Sequence, residues 1–276
     1  MADAIMDYKF FLGIGVAVAI IFAGAAVYTG LVKHAPVNSP ERDTLYQVST
    51  IDALMQGVYD GDVTVGELKK HGDFGIGTFD KLDGEMIVLD GQVWQAKSDG
   101  TVSPAADSQT TPFATVTYFN TDIRQTTTDR AMNYSEFSTV MAAQIPSENM
   151  IYAVKIHETF PSVTVRAIPA QEEPYPNLTV ASKEQQVYTF TNITGTVVGF
   201  YTPTFLKDLD TQGYHLHFLA DDHKRGGHIL DMTVPADSTV QYDVTPYFTM
   251  ALPTSGAFAG TNLTADMSAA LAAVEQ

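Results

Sequence analysis

Tyr214-His215-Leu216-His217-Phe218-Leu219-Ala220 runs into Asp221-Asp222-His223-Lys224-Arg225, and then into Gly226-Gly227-His228-Ile229-Leu230-Asp231-Met232-Thr233-Val234. Four of the chain's seven histidines lie in this stretch. The first segment mixes aromatic and aliphatic residues in alternation and predicts a β-strand. Side chains of a strand alternate between faces, so His215 and His217 share one. The charged residues and the Gly-Gly pair predict a turn, and His228 opens a returning strand. Paired as a hairpin, His217 and His228 become cross-strand neighbours with Cβ atoms about 5 Å apart. Three imidazoles then converge on one point. Three protein nitrogens with one position left open is the usual donor set of a catalytic zinc site. The competing reading is a solvated strand face on which the histidines bind nothing. His223, at the turn tip among charges, is expected in solvent.

A chain of 276 residues is long enough to bury a core in one large domain or two small ones. Its 32 acidic and 15 basic residues give a formal charge of −17, and no basic patch compensates. That excludes nucleic-acid binding by counterion release and points to solubility or tolerance of salt. The absence of cysteine removes disulfides, thiolate ligands and cysteine nucleophiles together, and decides no redox compartment.

Phe10 to Val32 carries no charge over 23 residues. As a helix it would be about 34 Å long, enough to cross a bilayer. Residues 1–35 therefore read as a membrane anchor or signal segment, an N-terminal hydrophobic helix. The length favours an anchor, while Ala23-Gly24-Ala25 offers a cleavage site. Lys9 before the run and Lys33 and Arg42 after it leave the orientation open. Residues 36–43, with Pro36 and Pro40, read as a linker, and residues 44–276 as the folded body. Sequons beginning at Asn133, Asn177, Asn192 and Asn262 permit an external location. The body is expected to be membrane-anchored or secreted, on the extracytoplasmic side.

Within the body, Thr64-Val65-Gly66-Glu67 is a capping box and starts a short helix. Gly75-x-Gly77 lacks the third glycine of a dinucleotide loop, which would fall at Asp80, so that reading is rejected. Asp90-Gly91 between apolar runs predicts a tight hairpin. Glu85 shares a strand face with Ile87 and Leu89. It is either partly buried with a raised pKa or an exposed strand end. Alternation from Ser162 to Ile168 places Thr164, Arg166 and Ile168 on one face. An arginine in mid-strand usually points outward, unless an anion calls it in. Residues 128–144 read as a helix, 171–180 as a turn-rich subdomain break, and 264–276 as a helix packing through Met267, Leu271 and Val274.

These residues also carry a resemblance. Tyr46-Gln-Val-Ser-Thr50, Gly57-Val-Tyr-Asp-Gly-Asp62, His71-Gly-Asp-Phe-Gly-Ile-Gly-Thr-Phe79, Leu82-Asp-Gly-Glu-Met-Ile-Val-Leu-Asp-Gly91, Pro112-Phe-Ala114, Arg166-Ala-Ile-Pro-Ala-Gln171 and the His215–His228 stretch resemble the α-acetolactate decarboxylase family. The resemblance spans about Leu45 to Glu275. It implies a metal-dependent lyase that converts (S)-2-acetolactate into (R)-acetoin and carbon dioxide. It implies a β-rich α/β fold of two subdomains, with mixed and antiparallel sheets around a three-histidine site. His215, His217 and His228 would hold Zn2+. Glu85 and Glu275 would be the catalytic carboxylates, Arg166 the catalytic arginine, and Thr78 a substrate contact. The partner is a small molecule, 2-acetolactate; a homodimer is left open, and membrane association would come through residues 1–35. Two features depart from the pattern: Trp94 stands where a tyrosine is expected, and the apolar N-terminal run is foreign to it. Two other classes remain. A cupin-like metalloenzyme would need a glutamate shortly after His-x-His, where Asp221 and Asp222 stand. A membrane-tethered, non-catalytic metal-binding module would have no use for Glu85 and Arg166.

Overall fold

Short apolar strands separated by turn residues are stable only where sheet faces cover one another. The structure, a computed structural model describing residue 40 and residues 42–254 and 256–275, meets this with two seven-stranded sheets. The elements begin with β1 (Thr44–Val48), α1 (Ile51–Met55), β2 (Val63–Thr64), α2 (Val65–Leu68), β3 (Phe74–Thr78), β4 (Glu85–Leu89) and β5 (Gln92–Ala96). Next come β6 (Val102–Pro104), β7 (Thr110–Thr111), β8 (Ala114–Thr117), β9 (Ile123–Thr126), β10 (Met132–Asn133), α3 (Tyr134–Ala142) and β11 (Tyr152–Ala167). The rest are α4 (Leu178–Ala181), β12 (Gln186–Thr202), β13 (Gly213–Ala220), β14 (Gly226–Val234), β15 (Thr239–Val244), β16 (Tyr247–Ala251) and α5 (Ser268–Val274).

The first sheet has the order β16-β1-β8-β3-β4-β5-β6 and is antiparallel except for the parallel β1–β16 pair. The second, β10-β14-β13-β12-β11-β15-β9, is antiparallel, and β2–β7 form a small ribbon. The β-rich architecture with mixed and antiparallel sheets is therefore present. The turn-rich stretch at 171–180, expected to mark a subdomain break, instead joins β11 and β12 of one sheet. The chain crosses between sheets after β8 and again between β15 and β16. The apolar run at 10–32 lies outside the described residues. Among the described residues no helix is long and apolar enough to cross a membrane.

Local chemistry sets several boundaries. Asp90 and Gly91 take φ 50° and 77° in the β4–β5 hairpin, the left-handed pair that a two-residue turn demands. Thr64 caps α2, its Oγ1 accepting the Glu67 N–H at 3.1 Å. The helix expected over 128–144 is confined to α3. Met132 and Asn133 pair with β14 instead, and Asn133 Oδ1 caps the helix by accepting the Glu136 N–H at 2.9 Å. The last helix starts at Ser268, not Thr264, because the Asn262 and Asp266 side chains hold turns there. Its stripe is as expected, with Leu271 and Val274 buried and Met267 partly so.

Strand alternation decides what faces the space between the sheets. On β13, Tyr214, Leu216 and Phe218 join the core under α3 with Phe137 and Met141. His215, His217 and Leu219 must then face the other sheet. On β4, Met86 and Val88 pack with Val65 and Leu68 of α2, so Glu85 and Ile87 face inward. Leu219 and Ile87 meet in the inter-sheet core with Phe74, Ile76 and Phe200. On β11 the positions that join the core under α3 are Tyr152, Val154 and Ile156, then Phe160, then Val163 and Val165. The alternation inverts between the pairs Phe160–Ile193 and Ser162–Thr191, where Asn192 takes φ 48°. That inversion turns Arg166 to the side of the histidines.

Candidate active site

The hairpin forms as its sequence predicts, with His217 directly opposite His228. Gly227 lets the start of β14 lie close against β11. It takes φ 148°, and a Cβ there would sit 2.6 Å from the Arg166 carbonyl oxygen. The three rings of His215, His217 and His228 form a near-equilateral triangle, with centroids 5.3, 5.1 and 5.3 Å apart. One ligand nitrogen from each lies within 4.8 Å of the others, and all three residues are buried. His223 stands apart on the exposed turn.

The electrostatics keep these imidazoles neutral. Burial, then the Arg166 charge, lowers His215 to about 3. Burial, the His215 ring and Arg166 hold His217 far below its ordinary value; burial, Arg166 and the other two rings do the same for His228. Neutral imidazoles are the form that binds metal. His217 Nδ1 lies 2.9 Å from the Met86 carbonyl of β4. A carbonyl only accepts, so Nδ1 carries the proton and the Nε2 lone pair faces the centre. His228 Nε2 is buried with no hydrogen-bond partner. A buried polar atom without a partner calls for an explanation, and a cation among three lone pairs supplies one. The donor set fits a divalent metal ion.

Two carboxylates and a guanidinium close the site. Glu85 Oε2 is 3.7 Å from His217 Nε2. Glu275 Oε2 is 3.6 Å from both His215 Nε2 and His228 Nε2. These distances exceed hydrogen bonds, and neutral rings make them no ion pairs. Arg166, 4% exposed, donates from Nη2 to Glu275 Oε1 at 3.4 Å, while its Nε and Nη1 are buried without partners. Burial pushes Glu85 up to about 7; Arg166 opposes the shift and Glu275 adds to it. Burial also raises Glu275, again against Arg166. The strand-end glutamate is thus the buried one of the two readings, and the mid-strand arginine faces in.

Thr78 lines the same cavity, but its hydroxyl donates to the Gly84 carbonyl at 2.7 Å, fixing the turn that leads into Glu85. The wall away from the histidines is apolar: Ile51, Leu54, Leu82, Phe113, Ile168 and Leu178. None of these six was marked by the sequence as belonging to a site. Nor was the Met86 carbonyl, which no side-chain pattern could reveal. The cupin-like alternative fails at its missing carboxylate: Asp221 is exposed against His157, and Asp222 against Arg225.

A family model described as alpha-acetolactate decarboxylase matches residues 45–265. The match stops short of Glu275, so that residue's place in the site rests on geometry. The alpha-acetolactate decarboxylase of Methanosarcina mazei is 45% identical over 240 residues, 87% of this chain and 83% of that protein. That of Bacillus subtilis is 39% identical over 231 residues, 84% of this chain and 88% of the relative. The crystal structure of alpha-acetolactate decarboxylase from Bacillus subtilis strain 168 superposes with a TM-score of 0.80 at 38% identity, covering 84% of this chain and 98% of the other. A Staphylococcus aureus protein described as similar to alpha-acetolactate decarboxylase gives a TM-score of 0.78 at 30% identity, covering 84% and 100%.

Proposed function

The chain belongs to the alpha-acetolactate decarboxylase family, and on that premise we propose that it converts (S)-2-acetolactate into (R)-acetoin and carbon dioxide at this site, with zinc on His215, His217 and His228. The observation that carries the reading is the convergence of three neutral buried imidazoles, two carboxyls and an unsaturated guanidinium on one cavity. Zinc suits the all-nitrogen donor set. What a bound metal supplies is Lewis acidity toward the ketone and hydroxyl oxygens of the substrate.

The remaining chemistry falls to side chains. Breaking the bond to the carboxylate leaves its electron pair on the substrate carbon, delocalised into the adjacent ketone as an enediolate. Arg166 has Nε and Nη1 free to pair first with the carboxylate and then with the developing oxyanion. A proton must then reach one face of that carbon. Glu85, held near neutrality between its two forms by burial, is suited to deliver it. Glu275, paired with Arg166, orients the guanidinium and lies on the opposite edge of the histidine triangle. Two distinct carboxyls on two sides give the handedness that a chiral product needs. The apolar wall excludes water and receives the methyl groups. A non-catalytic metal module would leave a buried, half-unpaired arginine beside the metal with nothing to do.

Purified protein supplied with zinc should form acetoin from 2-acetolactate, and a chelator should abolish the reaction. His217→Ala with undiminished turnover would overturn the ligand assignment.

A further inference from the structure

The three ligands sit on a hairpin whose own pairing is short. β13 and β14 pair at three positions: His217 with His228, Phe218 with Gly227, and Leu219 with Gly226. From His228, which stands opposite Arg166, onward β14 also pairs with β11. His228 thus stands between His217 of β13 and Arg166 of β11, only a few residues from the turn at 221–225.

That turn is held on two sides. Toward its own sheet, Asp221 meets His157 Nε2 at 3.1 Å, and the Arg225 guanidinium lies over the Phe190 ring at 5.9 Å. Toward the first sheet, the His223 ring stacks on the indole of Trp94, with centroids 4.3 Å apart and planes 29° from parallel. His223 takes φ 54° to present its ring this way. Beside it, Gly226 lies close to β4: a Cβ there would be 3.4 Å from Ile87 Cδ1 and 2.6 Å from the Phe218 carbonyl oxygen. Trp94 is the direct cross-strand partner of Ile87 on β5. Ile87 follows Met86, whose carbonyl orients His217, and shares a face with Glu85.

Besides the apolar packing of Leu219 and Gly226 on Ile87, the hairpin meets the β4–β5 face through two separated side-chain contacts. One is the His217–Met86 hydrogen bond beside the ligands, and the other is the His223–Trp94 stack at the tip. Within its own sheet the hairpin is fixed by β12 and β11; the two contacts across the layer fix its spacing from β4 and β5. We propose that Trp94 is a positioning residue for the metal centre, which through the stack on His223 sets where His217 and His228 stand relative to β4 and to Glu85. This rests on the metal reading above. Trp94 is part-exposed and packs against the inter-sheet core, and His223 is exposed, so the stack caps the edge of that core.

The test pairs variants that remove a ring with variants that keep one. Trp94→Ala and His223→Asn break the stack, and asparagine tolerates the left-handed backbone at 223. Trp94→Tyr and His223→Phe retain stacking. Zinc affinity is read by competition with a chromophoric chelator, alongside kcat, KM and melting of the metal-free protein. The ring-removing variants should bind zinc roughly three- to tenfold more weakly and lose kcat with KM held, and the ring-keeping variants should restore both. Trp94 is the chain's one tryptophan, so zinc binding should also change the emission of the wild type and leave that of His223→Asn unchanged. Wild-type zinc affinity and kcat in His223→Asn would overturn the proposal. So would a fall in melting temperature with zinc affinity unmoved, the mark of a merely structural contact. If Trp94→Ala fails to fold, His223→Asn breaks the same stack from an exposed side chain. A wild type that binds no zinc would overturn the metal reading itself, a different result from variants that bind it equally well.

Discussion

Replacing Arg166 with methionine keeps most of the stem volume and removes the charge. The Arg166 side chain is 4% exposed and that of Glu275 16%, with Nη2 and Oε1 3.4 Å apart. At that separation and an effective dielectric of ~20, their attraction is about 5 kcal/mol. Removing one member of a buried pair typically costs about 3–5 kcal/mol, because the other charge stays behind in the low dielectric. Here the residue left behind has an escape. Burial already holds the Glu275 carboxyl above its ordinary range, and Arg166 is what pulls it down. Without the arginine it takes up a proton more readily, so the expected loss of stability is about 2–3 kcal/mol near neutrality. The loss shrinks as pH falls, since a neutral glutamic acid misses its partner less. Catalysis suffers separately: the carboxylate and the developing oxyanion lose their cation, worth about 10²–10³ in kcat/KM. Adding Glu275→Gln should then return most of the stability and none of the turnover. Urea unfolding at two pH values measures the first, and acetoin formation per bound zinc the second. A double variant no more stable than Arg166→Met alone would refute the reasoning. A fall in turnover of less than about tenfold would do the same.

Glu85→Gln keeps the shape of the side chain but removes the acidic proton, so turnover should drop by about 10²–10⁴ while chelator competition shows zinc still bound; loss of zinc would make Glu85 structural. Asp243, fully buried beside Asp122 and Asp43, is pushed up to about 8, first by burial and then by those two carboxylates, against the Asn120 N–H that it accepts. A carboxyl whose folded pKa exceeds its unfolded value binds its proton more tightly when folded. Its contribution is present below about pH 4 and is lost as pH rises toward 8. Asp243→Asn, which still accepts from Asn120, should match the wild type near pH 4 and exceed it by about 2–4 kcal/mol at pH 8. Equal melting curves at both pH values would show that Asp243 is ionised without penalty.

The histidines were legible because every step from residue to position is local. Alternation puts His215 and His217 on one face, and the turn at 221–225, with Gly226 and Gly227 already paired in β14, brings His228 opposite. Glu85 was half legible. Alternation placed it with Ile87 and Leu89, but only the stacking of β4 over β13 and β14 shows that this face is the inner one. Arg166 is the instructive case. The sequence alternates from Ser162 to Ile168, yet that pattern does not say which face is inside, and the inversion opposite Asn192 reverses what the earlier half of β11 would suggest. Ile51, Leu54 and Leu178 could not be read at all. Helices of four or five residues have no periodicity to display, and their burial comes from packing against distant parts of the chain.

The same alternation explains why the polar groups collect where they do. The layer between the sheets is apolar wherever Leu219, Ile87, Phe74 and Phe200 meet. At its end the register of β13 and β14 puts imidazoles in positions that elsewhere hold leucine or phenylalanine. Burying three imidazoles and a guanidinium there, with His228 Nε2 and Arg166 Nε and Nη1 unpaired, costs the apo fold stability. A packed hydrophobic end would be more stable and would do nothing. Each unpaired atom is one that a cation or an anionic substrate satisfies, so the fold's local deficit is the site's binding capacity. The carboxyls follow the same logic. Burial that penalises the ionised forms of Glu85 and Glu275 also keeps a proton available next to a carbon that must receive one. Stability is given up at the places where the reaction needs unsatisfied groups, and the stacked sheets around them are large enough to bear it.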